Sequence, residues 1–262
     1  MRTRSVTTPP VLAVLVLALT TGCVTTEIGG QAPADPTRQA ETRRDVGIDH
    51  LSKGRTALAI RNLLESVEQN PEDYEAHLWL GEAYRRRGLT DLAEDHLLTA
   101  IELASRRHRP RINLAALYLQ VGRYEESIVQ SNVLIDDPTF AALWQALTNR
   151  GWAYFKMDQP SQARVSYEEA LEFHPTYWPA LLNLGILESS LGRRLEALER
   201  FQQVLLEHPS RNAQAEANFR IGEAFVSLGR RDRALTHFAN AIEVSPYGRW
   251  GKQSQKYLKL LR

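Results

Sequence analysis

The sequence predicts an all-α solenoid of about six stacked helical hairpins closed by a C-terminal helix. Three sets of aligned positions carry that expectation. Small residues recur at Gly47, Gly81, Ala115, Gly151, Gly185 and Gly222, at spacings of 34, 34, 36, 34 and 37. Seven residues after each stands Gly54, Gly88, Gly122, Asp158, Gly192 or Gly229, and five residues further stands Ala59, Ala93, Ser127, Ala163, Ala197 or Ala234. Self-similarity at this period marks supersecondary units that cannot bury their apolar faces alone and therefore stack.

Each unit reads as helix, tight turn, helix, turn. In the fourth unit, Trp152 and Phe155 and then Ala163, Tyr167 and Ala170 fall at helical spacing. The small residue in the first helix and the alanine in the second let the two helices approach. The larger residue four places after the alanine (Leu63, Leu97, Tyr167, Phe201, Phe238) is expected to fill the gap to the next unit. The glycine between the helices supplies a left-handed cap. Prolines at 71, 138, 175, 209 and 246 end most second helices, since proline lacks an N–H and restricts its predecessor. The units are expected at 40–73, 74–107, 108–141, 144–177, 178–211 and 215–248, with 249–262 as a capping helix. Ala115, Ser127 and Ser131 weaken the third unit. The two residues inserted before the fourth unit and the three before the sixth are expected to change the pitch locally.

The pattern resembles the tetratricopeptide repeat, whose period is 34. That resemblance covers nearly the whole chain after its N-terminal segment and implies a right-handed superhelix that binds partners.

Residues 1–22 read as a signal peptide: Arg2 and Arg4 precede an apolar run, Val11 to Leu19, too short to span a bilayer. The run leads into Thr20-Thr21-Gly22-Cys23, which resembles a bacterial lipoprotein processing site. Cys23 is the chain's single cysteine. Either it becomes the acylated N-terminus, as the resemblance implies, or it is an incidental thiol. Acyl chains anchor a soluble domain through about 0.8 kcal/mol per buried CH₂. Val24 after the cysteine resembles an outer-membrane sorting signal, which implies a periplasmic-face location. Residues 23–39, rich in Thr, Gly, Pro and Ala, read as a flexible tether. A lone cysteine forms no disulfide within the chain.

Composition excludes some classes of function. Net charge is +1 over 262 residues; without Arg2 and Arg4 it is −1, with 30 basic residues against 31 acidic. That balance gives no reason to expect nucleic acid. One basic concentration stands out, at the C-terminus: Arg249, Lys252, Lys256, Lys259 and Arg262. With Trp250, Tyr257, Leu258 and Leu261 on its apolar side, this helix reads either as a solenoid cap with a solvated face or as a contact for anionic lipid. The seven histidines show no metal spacing, and phosphate-cradling loops and nucleophile elbows are missing from the sequence. Glu125-Glu126 and Glu168-Glu169 read as early in second helices, where acids suit the helix dipole. No catalytic residue, cofactor other than the lipid on Cys23, metal or small-molecule substrate is expected.

By the repeat resemblance, first helices line a concave face. The lining positions give Ile112, Asn113 and Leu119; then Thr148, Asn149, Trp152 and Phe155; then Leu182, Asn183 and Ile186. The second unit offers Glu75, Glu82 and Arg85 there, and the sixth Glu216 and Glu223. The middle of the groove is thus expected to be apolar and its ends charged. Asn113, Asn149 and Asn183 share one repeat position. Their amides either hold a partner's backbone or serve their own helices. Trp152 and Phe155 are either groove anchors or buried between units.

The Gly-Cys-Val-Thr site, the short tether and the six units, most specifically the stretches NLAALYLQVGRYEESI and LWQALTNRGWAYFKMDQPSQARVSYEEAL, together resemble the type IV pilus biogenesis lipoproteins of the Tgl/PilF pilotin kind. That resemblance implies an outer-membrane lipoprotein that binds a secretin subunit and promotes its targeting or multimer assembly. Two other binding functions stay open: an adaptor in outer-membrane protein insertion and a scaffold for cell-wall enzymes.

Overall fold

In the computed structural model the described residues are 35–261, and they form thirteen α-helices with no strand among them. The expected lipid-attachment residue Cys23, the signal peptide and most of the tether lie outside the described residues. Six hairpins follow in order: α1 (Pro36–Ser52) with α2 (Thr56–Gln69), α3 (Tyr74–Arg87) with α4 (Thr90–Leu103), α5 (His108–Val121) with α6 (Tyr124–Ile135), α7 (Leu143–Lys156) with α8 (Pro160–Phe173), α9 (Trp178–Ser190) with α10 (Arg194–Leu206), and α11 (Arg211–Ser227) with α12 (Arg231–Val244). α13 (Arg249–Leu261) follows them. The first helix begins at Pro36, inside the segment read as tether, because Asp35 caps it by accepting from the Thr37 N–H at 3.0 Å.

Each helix packs on its neighbours in the chain, and each first helix also touches the first helix of the next unit. Second helices touch no other second helix. The first helices therefore form one continuous inner row while the second helices splay outward. This is a helical repeat solenoid.

Local chemistry explains the hairpins. The residues at 54, 88, 122, 192 and 229 are glycines with φ near +70 to +82°, and Asp158 takes the same left-handed conformation at φ 57°. At the α3–α4 turn the Gly88 N–H reaches the Arg85 carbonyl at 3.1 Å, and the Leu89 N–H reaches the Tyr84 carbonyl at 3.0 Å, which satisfies carbonyls the helix end leaves free.

The large side chain of the second helix meets the following element as expected, Tyr167 with Leu184 and Leu187 of α9 and Phe238 with Tyr257 of α13, and it makes a further contact within its own hairpin. It covers the small residue of its own unit: a β-carbon on Gly47, Gly81, Gly151, Gly185 or Gly222 would lie 2.6 Å from Leu63, Leu97, Tyr167, Phe201 or Phe238. The third unit reverses the volumes. Ala115 carries the extra carbon, Ser131 replaces the large residue, and the buried Ser127 hydroxyl donates to the Ala115 carbonyl at 3.0 Å. The residues inserted before the fourth unit place Phe140 in the junction, 5% exposed, with its ring 5.0 Å from that of His108. Those before the sixth unit belong to a longer first helix, the 17-residue α11.

α13 packs on α11 and α12. Its Trp250 and Tyr257 rings lie 5.2 and 5.5 Å from Phe219, and Tyr257 stacks on Phe238 at 4.8 Å. The apolar side of this helix is used in closing the solenoid, and Lys252, Lys256 and Lys259 remain exposed. No helix among the described residues is long and apolar enough to cross a membrane.

Candidate functional site: the clefts of the inner helix row

The inner row of first helices carries two adjoining clefts and, toward its N-terminal half, a larger hollow. The first cleft, about 350 Å³, is lined by Leu119 and Gln120 of α5, Thr148, Asn149 and Trp152 of α7, and Tyr177, Pro179 and Asn183 at the start of α9. The second, about 610 Å³, runs from Trp152, Phe155 and Lys156 through Leu182, Asn183 and Ile186 to Glu216 and Arg220 of α11 and Trp250 of α13. Trp152 and Asn183 line both. Eight of the ten residues expected in the groove, namely Leu119, Thr148, Asn149, Trp152, Phe155, Leu182, Asn183 and Ile186, thus share one continuous strip. Ile112 and Asn113 do not join it; they line the separate hollow between α3, α5 and the α6–α7 loop.

Not all of these side chains are equally free. Leu182 is only 7% exposed and belongs to the core shared by α9, α10, α11 and α12. Phe155 is half-buried and packs on Ala163, Tyr167, Leu184 and Leu187. Thr148 is buried and its hydroxyl is spent on the Trp144 carbonyl of its own helix at 2.6 Å. Trp152 keeps a cleft-facing ring, tilted 40° to Phe155 at 5.3 Å, with the Lys156 ammonium 5.8 Å from its centroid.

The asparagines separate into two kinds. Asn62 and Asn218 donate to carbonyls of their own helices, Leu58 at 2.8 Å and Gln214 at 3.0 Å. Asn113, Asn149 and Asn183 make no such bond, and all three are half-buried at the rim of a hollow. An amide so placed offers a donor and an acceptor to whatever enters. The same repeat position holds Trp79 in the second unit and Arg220 in the sixth, so the run of amides ends in an aromatic ring on one side and a guanidinium on the other.

The far end of the second cleft is charged. Arg220 lies 3.6 Å from Glu216 and 3.3 Å from Glu223, and its guanidinium sits 5.0 Å over the Trp250 ring. Arg249 covers the same ring at 4.6 Å. Burial pushes the Glu216 carboxyl above the usual range, opposed by Arg220 and Arg249. Trp250 read from sequence as part of the cap's apolar side; its return to the inner row became visible only once α13 folded back on α11.

Two sequence readings are corrected. Glu168 and Glu169 lie in the second half of α8, not early in it, and Glu169 pairs with Arg150 of α7 at 2.7 Å. A second basic concentration, Arg106-Arg107-His108-Arg109, runs from the α4–α5 loop into the first turn of α5 and lines the larger hollow. Among the described residues no three His, Cys, Asp or Glu side chains are grouped to hold a metal ion.

A tetratricopeptide repeat model matches residues 45–108 and 182–249, a second such model matches 144–177, and a third matches 108–127. The chain belongs to the tetratricopeptide repeat family. Within that family it is similar to the type IV pilus assembly protein PilF of Pseudomonas aeruginosa, at 26% identity over 158 residues, which is 59% of this chain and 62% of that protein. It is also similar to human tetratricopeptide repeat protein 16, at 24% identity over 62% of this chain and a fifth (20%) of that longer one. The chain thus spans less than two thirds of both. Among solved structures, that of Pseudomonas aeruginosa PilF shares the fold with a TM-score of 0.65 at 18% identity, covering 85% of this chain and 99% of that one. PilW, described as a widely conserved type IV pilus biogenesis factor, shares it at 0.69 and 18% identity, covering 82% and 97%. The Cut9–Hcn1 assembly of the APC/C shares it at 0.71 and 21% identity over 87% of this tetratricopeptide chain and 44% of that one.

Proposed function

We propose that this protein is a tetratricopeptide scaffold of type IV pilus biogenesis, which holds a segment of an outer-membrane secretin subunit along the inner helix row and promotes its targeting or multimer assembly. It acts by binding and not by catalysis. The observation that carries the binding role is the continuous strip from Leu119 to Trp250, in which one ring, Trp152, lines both clefts and the free amides of Asn149 and Asn183 flank it. Aromatic anchors in partly desolvated clefts are where binding energy concentrates. The amides can pair with a partner's backbone whatever its sequence. The similarity to PilF supports the pilus setting.

In this reading Cys23 carries the lipid and holds the scaffold at the periplasmic face of the outer membrane. An anchored scaffold raises the effective concentration of a bound segment beside that membrane. Secretin subunits meeting one another then displace it.

Pull-down from detergent-solubilised envelope, with wild type and Trp152→Ala, tests the proposal. Recovery of secretin by wild type and its loss in the variant, with unchanged helicity, is the expected result. Recovery of insertion machinery or cell-wall enzymes without secretin overturns the pilus role. Recovery of secretin equally by both overturns the cleft.

A further inference from the structure

The hollow between α3, α5 and the α6–α7 loop is chemically unlike the two clefts. It measures about 1270 Å³, and three guanidinium groups, Arg106, Arg107 and Arg109, stand on its wall. Several other arginines among the described residues are paired with acids: Arg44 with Asp73, Arg85 and Arg86 with Glu82, Arg123 with Glu94, Arg164 with Glu188. These three face no carboxylate within ion-pair distance. The acids that share the hollow are already engaged. Asp137 accepts from the Thr139 N–H at 2.8 Å and from the Thr139 hydroxyl at 2.6 Å, and lies 2.9 Å from His108 Nε2. These contacts, led by Thr139, hold its carboxyl down at about 2. Glu75 lies 3.5 Å from Arg44 and accepts from the Tyr74 hydroxyl at 3.1 Å. The hollow is left with a net positive lining in a chain whose overall charge is close to zero.

Two of the arginines are also held in place. The Arg109 guanidinium lies 4.4 Å over the Trp79 ring and that of Arg107 lies 5.9 Å over Tyr74. A guanidinium already held over a ring loses less freedom when it meets a carboxylate. α5 begins at His108 with no acid in its first turn, which adds the positive end of the helix to the same wall. The floor is different: Leu78, Ile112 and Phe140 are apolar, and Asn113 and Gln145 are amides.

We propose that this hollow is a second docking site, one that takes an acidic segment of a partner protein. Charge complementarity selects carboxylates, which guanidinium groups bind in paired N–H···O contacts. The apolar floor and the amides suit the intervening side chains and the backbone of a peptide. A flat anionic lipid surface would leave that floor unused. The inference goes beyond the pilus reading and does not depend on the partner being a secretin, since it concerns a different hollow and a different chemistry.

The test uses the full chain in detergent with three probes: a short fluorescein-labelled peptide alternating Asp and Glu with Leu and Asn, its counterpart with Asn and Gln replacing the acids, and phosphatidylglycerol vesicles. Anisotropy is read at low and physiological salt. The acidic peptide is expected to bind, to weaken as salt rises, and to lose roughly tenfold or more in affinity in Arg106→Gln/Arg107→Gln/Arg109→Gln. Lys252→Gln/Lys256→Gln/Lys259→Gln removes as much charge from α13 and should change little. If the triple arginine variant melts early, Arg106→Gln alone decides, because Arg106 stacks on no ring and pairs with no acid. Equal binding of the amide peptide, equal loss in the α13 variant, no binding of the acidic peptide, or capture of vesicles in its place would each overturn the proposal. The secretin pull-down with Trp152→Ala reads the clefts separately, so failure at either site is recognised as its own.

Discussion

The Tyr167 ring lies against the bare α-carbon of Gly151, so that a β-carbon there would sit 2.6 Å from Cε1 and 2.8 Å from Cδ1 of the ring. The tyrosine is fully buried, and its hydroxyl has no hydrogen-bond partner. Gly151→Ala gains up to about 1 kcal/mol of helix propensity but forces the ring to move in a filled interior, at a cost of roughly 1–3 kcal/mol. The expected net result is a lower denaturation midpoint. Tyr167→Phe removes the unpaired hydroxyl and should leave the midpoint unchanged or raise it, by about 1 kcal/mol at most. Urea denaturation followed by circular dichroism reads both. A stabilised Gly151→Ala would mean that the helices do not approach as described.

Stability should fall on mild acidification through the second unit. His77 Nε2 lies 3.1 Å from the Pro71 carbonyl, which requires a proton there, so Nδ1 of His77 accepts from Nδ1 of His96 at 3.0 Å. Burial lowers the pKa of both rings. His77 lowers His96 further; the Pro71 carbonyl and then Asp73 oppose the shift at His77, and Asp95 opposes that at His96. A base with a depressed folded-state pKa binds fewer protons folded than unfolded. Its stabilising contribution is complete above the unfolded value of about 6.5 and declines as pH drops from there toward the folded value. The melting temperature should therefore fall between about pH 7 and about pH 5, and His96→Gln should reduce that fall. An equal fall in the variant would assign the effect elsewhere, His237 being the next buried candidate.

The junction of the fourth and fifth units depends on one acid. Glu188 of α9, whose side chain is 4% exposed, accepts from Arg164 of α8 at 2.9 Å and lies 3.6 Å from Arg193. Glu188→Ala leaves Arg164 with only the more distant Glu168, at 3.7 Å. Breaking such a pair is expensive because one charge stays desolvated, and the partial exposure of Arg164 tempers the loss to roughly 2 kcal/mol. Glu188→Gln, which keeps the shape, should lose less. Because repeat arrays are stabilised by nearest-neighbour interfaces, protease cleavage near the α8–α9 turn is the sensitive readout, and unchanged cleavage in Glu188→Ala would show that the pair does not hold the junction.

Much of the solenoid was legible because its information is local. Turn glycines, closing prolines and the alternation of small and large residues act within one hairpin, and all recur in phase. The weak third unit was visible as Ala115, Ser127 and Ser131, but the exchange of volumes that makes them fit emerged only from packing. The groove was legible in part. Trp152, Asn149 and Asn183 open to the clefts as their repeat positions imply. Leu182 is taken into the core, because a lining position at the foot of α9 is also where α11 packs. The arginines at 106, 107 and 109 escaped notice because overall charge was balanced, and balance says nothing about where the paired acids are.

The sequence by itself determined the repeat, its phase, the ends of most helices and the all-α class, since each of these follows from spacing and backbone preference over a few tens of residues. Only the tertiary structure decided which side chains meet across units. Trp152 shares a cleft with Trp250, and Asp137 reaches His108 while three arginines beside it face no carboxylate within ion-pair distance. Those relationships depend on how far each unit rotates on the last and on where α13 folds back, both set by the sum of packing at every interface.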